Sequence, residues 1–312
     1  MIEHPFNVPI AVIIFKRPDK TKQLLEIIRQ VQPSQLFVIA DAPRHDQPGE
    51  LELCKATQMI FDNIDWDCQV YRNYAQENLG CGFRPASGIS WVFDHVEEAI
   101  ILEDDCMPDL SFFQFCQELL EKYRDDQRIM HITGNSYCVM DEQQPYSYIF
   151  SRYISSWGWA TWRRAWQYYD FDMKKWDEIR KTNFLWDILN GDRHAIKNWQ
   201  TILDTVYEKH DDCWDYQWMF TCWLQGGLSI IPTVNLVSNI GDDGTHTTID
   251  NQPYLLRPAQ AIEFPLKHPI AMVRNTKIDR QIQNDLYDWY PPLWQKVQQR
   301  LKRIFKKVPQ TI

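Results

Sequence analysis

Three consecutive carboxylates follow an apolar run in the first half of the chain. The run Ile100 to Leu102 leads directly into Glu103, Asp104 and Asp105. Adjacent carboxylates repel one another beside apolar sequence unless a cation compensates their charge. Hard divalent ions such as Mn²⁺ and Mg²⁺ prefer carboxylate oxygens and keep positions open for phosphate. The triplet therefore predicts a divalent-metal site, and the alternative is a solvated turn or the start of a helix near Pro108.

Other charged residues stand where further predicted strands end. Lys16 and Arg17 follow the first predicted strand, and Asp41 follows the second. Because ligands of open α/β sheets bind at the carboxyl ends of the strands, we expect these residues to lie near the acidic triplet.

The elements that would position these residues alternate along the chain. Apolar runs predict strands over 8–15, 35–41, 68–73 and 99–102, and helical spacing predicts helices over 19–31, 50–63, 88–95 and 110–123. This alternation predicts an α/β fold with a mostly parallel central sheet and helices on both faces. Of 14 tryptophans, 10 lie between Trp157 and Trp223. Such a cluster is typical of a hydrophobic core, although it could also offer flat faces to sugar rings.

The segment AIILEDDCMPDLSFFQF resembles the metal-binding region of GT-A glycosyltransferases, especially N-acetylglucosaminyltransferase I-like and family 2-like enzymes. The resemblance implies the GT-A fold, with its Rossmann-like sheet. It also implies that Asp105 binds Mn²⁺ or Mg²⁺, while Glu103 and Asp104 face the donor sugar and ribose.

Further segments match this family in order, over about residues 8 to 250. SSWGWATWRRAW resembles its glycine-containing loop and implies Gly158 and Trp159 at the donor site; CWDYQWM resembles the catalytic-acid segment and implies Asp215; NIGDDGTHT implies His246 as a metal ligand. FKRP and IADAPR resemble nucleotide-contacting edges. The implied contacts are Arg17 at the phosphates or uracil and Asp41 at the uracil. The glycine-containing stretch with Arg84 borders the donor site in the resemblance, which makes Arg84 a candidate phosphate contact, and an ordinary surface arginine is the alternative.

The activity implied is transfer of a hexose from a UDP-sugar to a glycan or other hydroxyl acceptor. A positioned carboxylate can accept the proton of the acceptor hydroxyl, so Asp215 is the candidate general base. With one base opposite the leaving group, the anomeric configuration inverts. A purely structural role also remains possible for Asp215, which is to cap the helix that follows it.

Two other functions remain open at this stage. A sugar-nucleotide pyrophosphorylase would need a glycine-rich basic loop after the first strand, where this chain has Phe15-Lys16-Arg17-Pro18-Asp19-Lys20. A non-catalytic carbohydrate-binding protein of the same fold is the third hypothesis. The expected organisation is a GT-A domain over 1–260, with a nucleotide-binding half (1–125) and an acceptor-binding half (126–260), followed by an extension over 261–312.

Composition limits the protein classes. The net charge of −9 argues against a general nucleic-acid binder. Eight scattered cysteines predict the reduced thiols of a cytoplasmic protein, and we expect neither a leader peptide nor a membrane span. Residues 293–312 carry six basic and no acidic side chains, with apolar residues at helical spacing. This pattern predicts a basic amphipathic helix that either contacts the inner face of a membrane or packs onto the acidic body.

Overall fold

Strands and helices alternate through the first half of the chain, as the apolar pattern predicts. The computed structural model describes residues 6–136, 145–209, 212–241 and 257–287. The first-half elements are β1 (Ile10–Ile14), α1 (Pro18–Val31), β2 (Gln35–Ala40), α2 (Glu50–Met59), β3 (Gln69–Tyr74), α3 (Gly80–His95), β4 (Glu98–Glu103), β5 (Cys106–Pro108) and α4 (Leu110–Lys122). The main departure from the predicted bounds is α3, which begins at Gly80 and not at residue 88.

The second half consists of shorter elements. They are β6 (Ile129–Thr133), β7 (Tyr148–Ser151), β8 (Trp159–Trp162), α5 (Arg163–Trp166), α6 (Trp176–Ile179), α7 (Phe184–Ile188), α8 (Arg193–Tyr207), α9 (Asp215–Leu224), β9 (Leu228–Pro232), β10 (Val237–Asn239) and α10 (Thr276–Ile282), which continues as a π-helical turn over Gln283–Tyr287.

Eight strands form one central sheet in the order β3-β2-β1-β4-β8-β6-β9-β7. β1 pairs in parallel with both β2 and β4, and β2 pairs in parallel with β3. β8 and β7 run antiparallel to their neighbours. β5 and β10 form a separate antiparallel pair. The predicted fold class is confirmed: a large, mostly parallel sheet is flanked by helices.

Alternate residues of the central strands supply two hydrophobic cores, one on each face of the sheet. Ile10 and Val12 of β1 belong to the core that includes apolar residues of α1 and α4. Ala11, between them, belongs to the core that includes apolar residues of α3, α8 and α9. Because side chains of a strand alternate between faces, β1 is buried on both sides, and its ends are fixed in position.

The segment 257–287 packs against the second half of the sheet. Asp279 is buried and accepts a 2.6 Å hydrogen bond from the Ser151 hydroxyl, and it pairs with Arg274 at 2.9 Å. Gln283 accepts hydrogen bonds from Tyr153 and Trp199. This part of the predicted extension therefore joins the body. The basic segment 293–312 lies outside the described residues, and in the part that is described no helix is long and apolar enough to cross a membrane.

Candidate functional site

A cleft of about 390 Å³ opens at the carboxyl ends of β1, β2 and β4. Trp214, which immediately precedes α9, forms part of its wall. The charged side chains that line it come from five separate segments: Lys16, Arg17, Asp41, Arg44, Arg84, Glu103, Asp104 and Asp212. Five of these residues (Arg17, Asp41, Arg84, Glu103 and Asp104) are predicted site residues, so the sheet edge brings them together as its topology requires.

Asp104 is fixed where β4 ends beside β1. Its carboxylate accepts hydrogen bonds from the Phe15 backbone N–H at 3.2 Å and from Arg17 Nη1 at 2.9 Å. Its own backbone N–H donates to the carbonyl of Ile13. Burial raises the pKa of Asp104 to about 6, although Arg17 acts in the opposite direction. The carboxyl group is therefore short of compensating positive charge.

Asp105 shares Arg17 with Asp104 and is held from the opposite side by β10. Arg17 Nη1 lies 3.0 Å from Asp105 Oδ2, and Asn239 Nδ2 donates to Asp105 Oδ1 at 3.1 Å. The backbone of Gly241 lies so close that a Cβ there would collide with Asp105 Oδ2. Asp105 is not part of the cleft wall itself, but it contacts the arginine that is.

The pKa of Glu103 depends on its burial and on the acidic groups around it. Burial and, in decreasing order, the negative charges of Asp105, Asp104 and Asp215 together raise its pKa to about 8, although Arg17 acts in the opposite direction. Asp215, at the first position of α9, is therefore close enough to act electrostatically on the end of β4. We call Glu103, Asp104, Asp105 and Asp215 the acidic cluster.

Asp215 lies at the start of α9, but it is not the residue that caps the helix. Trp214 occupies the capping position and offers no side-chain hydrogen bond to the helix. The Asp215 carboxylate accepts a 3.0 Å hydrogen bond from the adjacent Tyr216 backbone N–H.

The acidic cluster fits a hard divalent cation in its chemistry. Its donors are carboxylate oxygens, and burial, followed by the negative charge of neighbouring carboxylates, raises the pKa of Glu103 and of Asp104, so a cation would stabilise their ionised forms. Across the described ranges, however, no three His, Cys, Asp or Glu side chains are grouped so that they could together hold a metal. The predicted ligand His246 lies outside those ranges.

Two carboxylates from distant segments hold the start of α3. Asp41 accepts from the backbone N–H groups of Leu79 and Gly80 at 2.9 and 3.0 Å. Asp212 accepts from those of Cys81 and Gly82 at 3.0 and 2.9 Å. The first N–H groups of a helix have no partners within it, so these contacts extend α3 into the glycine-containing stretch. The carboxylate of Asp41 is thus hydrogen-bonded within the protein, and burial raises its pKa.

Arg84 is also engaged by the protein itself. Its Nε donates to the Ala40 carbonyl at 3.0 Å, and its Nη2 donates to the backbone carbonyl and the side-chain oxygen of Asn73. Only 4% of the residue is exposed, and burial lowers the pKa of its guanidinium. The interpretation of Arg84 as an ordinary surface arginine is wrong, since the residue joins the ends of β2 and β3.

Gly158 and Trp159 do not form part of the cleft wall. Gly158 has a φ of +63°, and a Cβ there would lie 2.7 Å from Val237. Trp159 is fully buried in β8; its ring stacks on His131 at 4.9 Å and on Trp214 at 5.5 Å. Trp159 thus supports Trp214, which does line the cleft, from behind.

Most of the tryptophan cluster is hydrophobic core. Eight of its members are buried: Trp159, Trp162, Trp166, Trp176, Trp199, Trp214, Trp218 and Trp223. Trp218 Nε1 donates to Nδ1 of the buried His131, and burial lowers the pKa of that histidine to about 3. The cluster therefore acts chiefly as a rigid support for the start of α9.

The sequence alone did not identify three charged residues at or beside the cleft, which are Arg44, Glu50 and Asp212. Arg44 follows β2, and its side chain and that of Lys16 both pair with Glu50, which begins α2. Asp212 precedes the candidate base. The position of Arg44 shortly after a predicted strand was a visible signal, as it was for Lys16, whereas the role of Glu50 depends on a contact between distant residues.

Comparisons with known proteins add little to this geometry. No family model and no curated protein matches the chain. Among solved structures, TarS of S. aureus (residues 1–349) matches at 9% identity with a TM-score of 0.33, over 50% of this chain and 47% of that one. HddC from Yersinia pseudotuberculosis matches at 12% identity and 0.29, over 50% and 77%.

Mouse xyloside xylosyltransferase 1 in its apo form matches at 12% identity with a TM-score of 0.33, over 69% of this chain and 81% of that chain. The match to TarS spans less than half of that protein's chain. At such TM-scores the likeness assigns no activity to this chain, so its function has to be argued from its own residues.

Proposed function

We propose that this protein is a metal-dependent glycosyltransferase of GT-A type that moves a hexose from a UDP-sugar to a hydroxyl group of a glycan. The observation that carries the proposal is that the ends of β1 and β4 and the residue before α9 line one cleft, through Arg17, Glu103, Asp104 and Trp214, and that the negative charge of Asp215 acts on Glu103. Perturbed carboxyl groups in a cleft are typical of functional sites.

In this proposal the carboxylates that follow β4 hold a divalent cation. Asp105 would bind Mn²⁺ or Mg²⁺ beside Glu103 and Asp104, which would face the donor sugar and ribose, and His246 is proposed as a further ligand. When bound, such an ion neutralises the negative charge that develops on a departing diphosphate. Arg17, which already contacts both carboxylates, supplies positive charge at the same place.

Asp215 acts as the general base. Its carboxylate accepts the proton of the acceptor hydroxyl while the hydroxyl oxygen forms a bond to the anomeric carbon. The bond from that carbon to the diphosphate oxygen breaks, and the electron pair leaves with the diphosphate. Because a single displacement inverts the configuration, the product anomer is opposite to that of the donor.

The wall beside Asp215 limits access of water to the reacting carbon. Trp214 is only 5% exposed and stacks on the fully buried Trp159. A rigid aromatic wall keeps the base in place and reduces hydrolysis of the donor.

A screen of UDP- and GDP-sugars tests the proposal. The full chain is incubated with each donor and Mn²⁺, and release of nucleoside diphosphate is measured with and without a hydroxyl acceptor. We expect release from at least one UDP-sugar, and its loss in EDTA. Release of a sugar 1-phosphate and nucleoside triphosphate on addition of pyrophosphate would instead identify a pyrophosphorylase.

We also propose that residues 293–312 contact an anionic membrane surface from the cytoplasmic side. Six basic and no acidic side chains in this segment support the proposal. Deleting the segment should abolish co-sedimentation with anionic vesicles, and sedimentation equal to that of the full chain would exclude the role.

A further inference from the structure

Two basic side chains at the cleft share one buried carboxylate. Lys16 Nζ lies 2.9 Å from Glu50 Oε2, and Arg44 Nη2 lies 2.5 Å from the same oxygen. Arg44 also donates to Glu50 Oε1 from its Nε at 3.0 Å and from its backbone N–H at 2.8 Å. The Glu50 side chain is only 4% exposed. We call Lys16 and Arg44 the basic pair.

The basic pair keeps hydrogen-bond donors for a ligand. An ammonium group has three N–H donors and a guanidinium five. Lys16 donates one hydrogen bond to Glu50, and Arg44 Nη1 has no partner among the residues that the structure describes. Lys16, Arg44 and Glu50 together carry a charge of about +1, which the negative charge of Asp46 near Arg44 partly offsets. Both side chains line the cleft, with 26% of Lys16 and 41% of Arg44 exposed.

The other basic side chains of the cleft are committed elsewhere. Arg17 contacts Asp104 and Asp105, and Arg84 is buried against backbone carbonyls. In the sheet order, β2 lies on one side of β1 and β4 lies on the other. Arg44 follows β2, and Glu103 is the last residue of β4. An anionic group in the cleft is therefore repelled by Glu103 and Asp104 on the β4 side and attracted to the basic pair on the β1–β2 side. There the carboxylate of Asp41 already accepts hydrogen bonds from backbone N–H groups at the start of α3.

We infer that Lys16 and Arg44, positioned by Glu50, form a phosphate-binding site that holds a nucleoside diphosphate without a divalent cation. A phosphate group carries several oxygens, so it can accept hydrogen bonds from both side chains at once. The inference rests on the proposed function in one respect, because it takes the ligand of the cleft to be a nucleotide donor.

Binding in EDTA tests the inference with the full chain and three probes. The affinity of each probe is measured by calorimetry in the absence of metal. UDP and inorganic pyrophosphate should both bind, and uridine should bind more weakly. Arg44→Gln and Lys16→Gln should each weaken UDP and pyrophosphate binding about tenfold, because each removes a charge-assisted hydrogen bond, and should leave uridine binding unchanged. Arg44→Lys should restore part of the affinity. The matched control is Arg29→Gln, an exposed arginine of α1 paired with Asp65 outside the cleft.

A second variant separates binding from folding. Arg44→Gln leaves the buried Glu50 with one cation fewer, so the double variant Glu50→Gln/Arg44→Gln removes both partners and should fold while still losing affinity. Pyrophosphate affinity equal to wild type in the Lys16 and Arg44 variants would overturn the inference. UDP binding that requires Mn²⁺ would overturn it as well and leave the proposed function standing. If neither UDP nor pyrophosphate binds with or without Mn²⁺, the proposed function fails too.

Discussion

Buried carboxylates lie both in the acidic cluster, as Asp104 and Asp105, and beside the basic pair, as Glu50, but the charge balance of the two regions is opposite. Glu50, at the basic pair, has two cations, and hydrogen bonds from Arg44 lower its pKa to about 2. In the acidic cluster one arginine is shared by Asp104 and Asp105, and the pKa of Glu103 is raised to about 8.

This difference in charge balance distinguishes a carboxylate with a structural role from carboxylates with a proposed role in binding. A carboxylate whose charge is fully compensated, such as Glu50, holds its neighbours in place and needs nothing more. A group of carboxylates that lacks compensation is costly for the fold, and it is where a cation from solution gains most by binding. The comparison therefore supports the two proposals, which are metal binding on the β4 side of the cleft and phosphate binding on the β1–β2 side.

The largest expected effect comes from Asp215, the member of the acidic cluster that the proposed reaction uses as a base. Asp215→Asn keeps the shape of the side chain but removes its ability to accept the proton, so kcat should fall by at least about 10²-fold. Donor affinity should change little, because the variant leaves Asp105 and the basic pair intact. Wild-type turnover in Asp215→Asn, measured with the best donor of the screen, would show that another group is the base.

The next effect compares the two arginines that hold carboxylates. Arg17→Gln leaves Asp104 and Asp105 without their shared cation, and this should reduce the free energy of unfolding by up to about 3 kcal/mol. Arg44→Gln should cost less, about 1 kcal/mol, because Glu50 keeps Lys16 and the exposed position of Arg44 limits the value of the pair. Urea denaturation at pH 7 in EDTA measures both. Equal losses would contradict the claimed difference in charge balance.

The smallest effect is a difference in the pH dependence of stability. Because the pKa of folded Glu103 is about 8 against an ordinary 4.5, its contribution to stability should be lost as pH rises from about 4.5 through 8. The folded pKa of Glu50 is about 2, so its contribution should be lost as pH falls from about 4.5 through 2. In EDTA, Glu103→Gln should flatten the alkaline limb of the stability profile and Glu50→Gln the acid limb. A single variant that flattens both limbs, or neither variant doing so, would contradict the assignment.

The sequence was sufficient for the first half of the sheet because its signals are local. Strand-length apolar runs and helical spacing predict β1 to β4 within a few residues, and they place Arg17, Asp41 and Glu103 at one edge. The start of α3 could not be predicted in this way, since Gly80, Gly82 and Pro85 are typical of loops.

The local sequence pattern does not reveal contacts with residues from distant parts of the chain. The first turn of α3 exists because Asp41 and Asp212 accept its free backbone N–H groups. Likewise, nothing near Glu50 in the sequence reveals that it holds Lys16, and nothing near Trp159 reveals that this residue is core and not cleft wall. Such roles depend on packing between distant elements.

The most direct test of the central claim is the Mn²⁺ dependence of UDP binding, measured by calorimetry for the wild-type chain and for Asp105→Ala. We predict that Mn²⁺ strengthens UDP binding to the wild type and has no effect on Asp105→Ala, whose affinity should equal that of the wild type in EDTA. The same gain from Mn²⁺ in both proteins would contradict the claim that the carboxylates after β4 hold the cation.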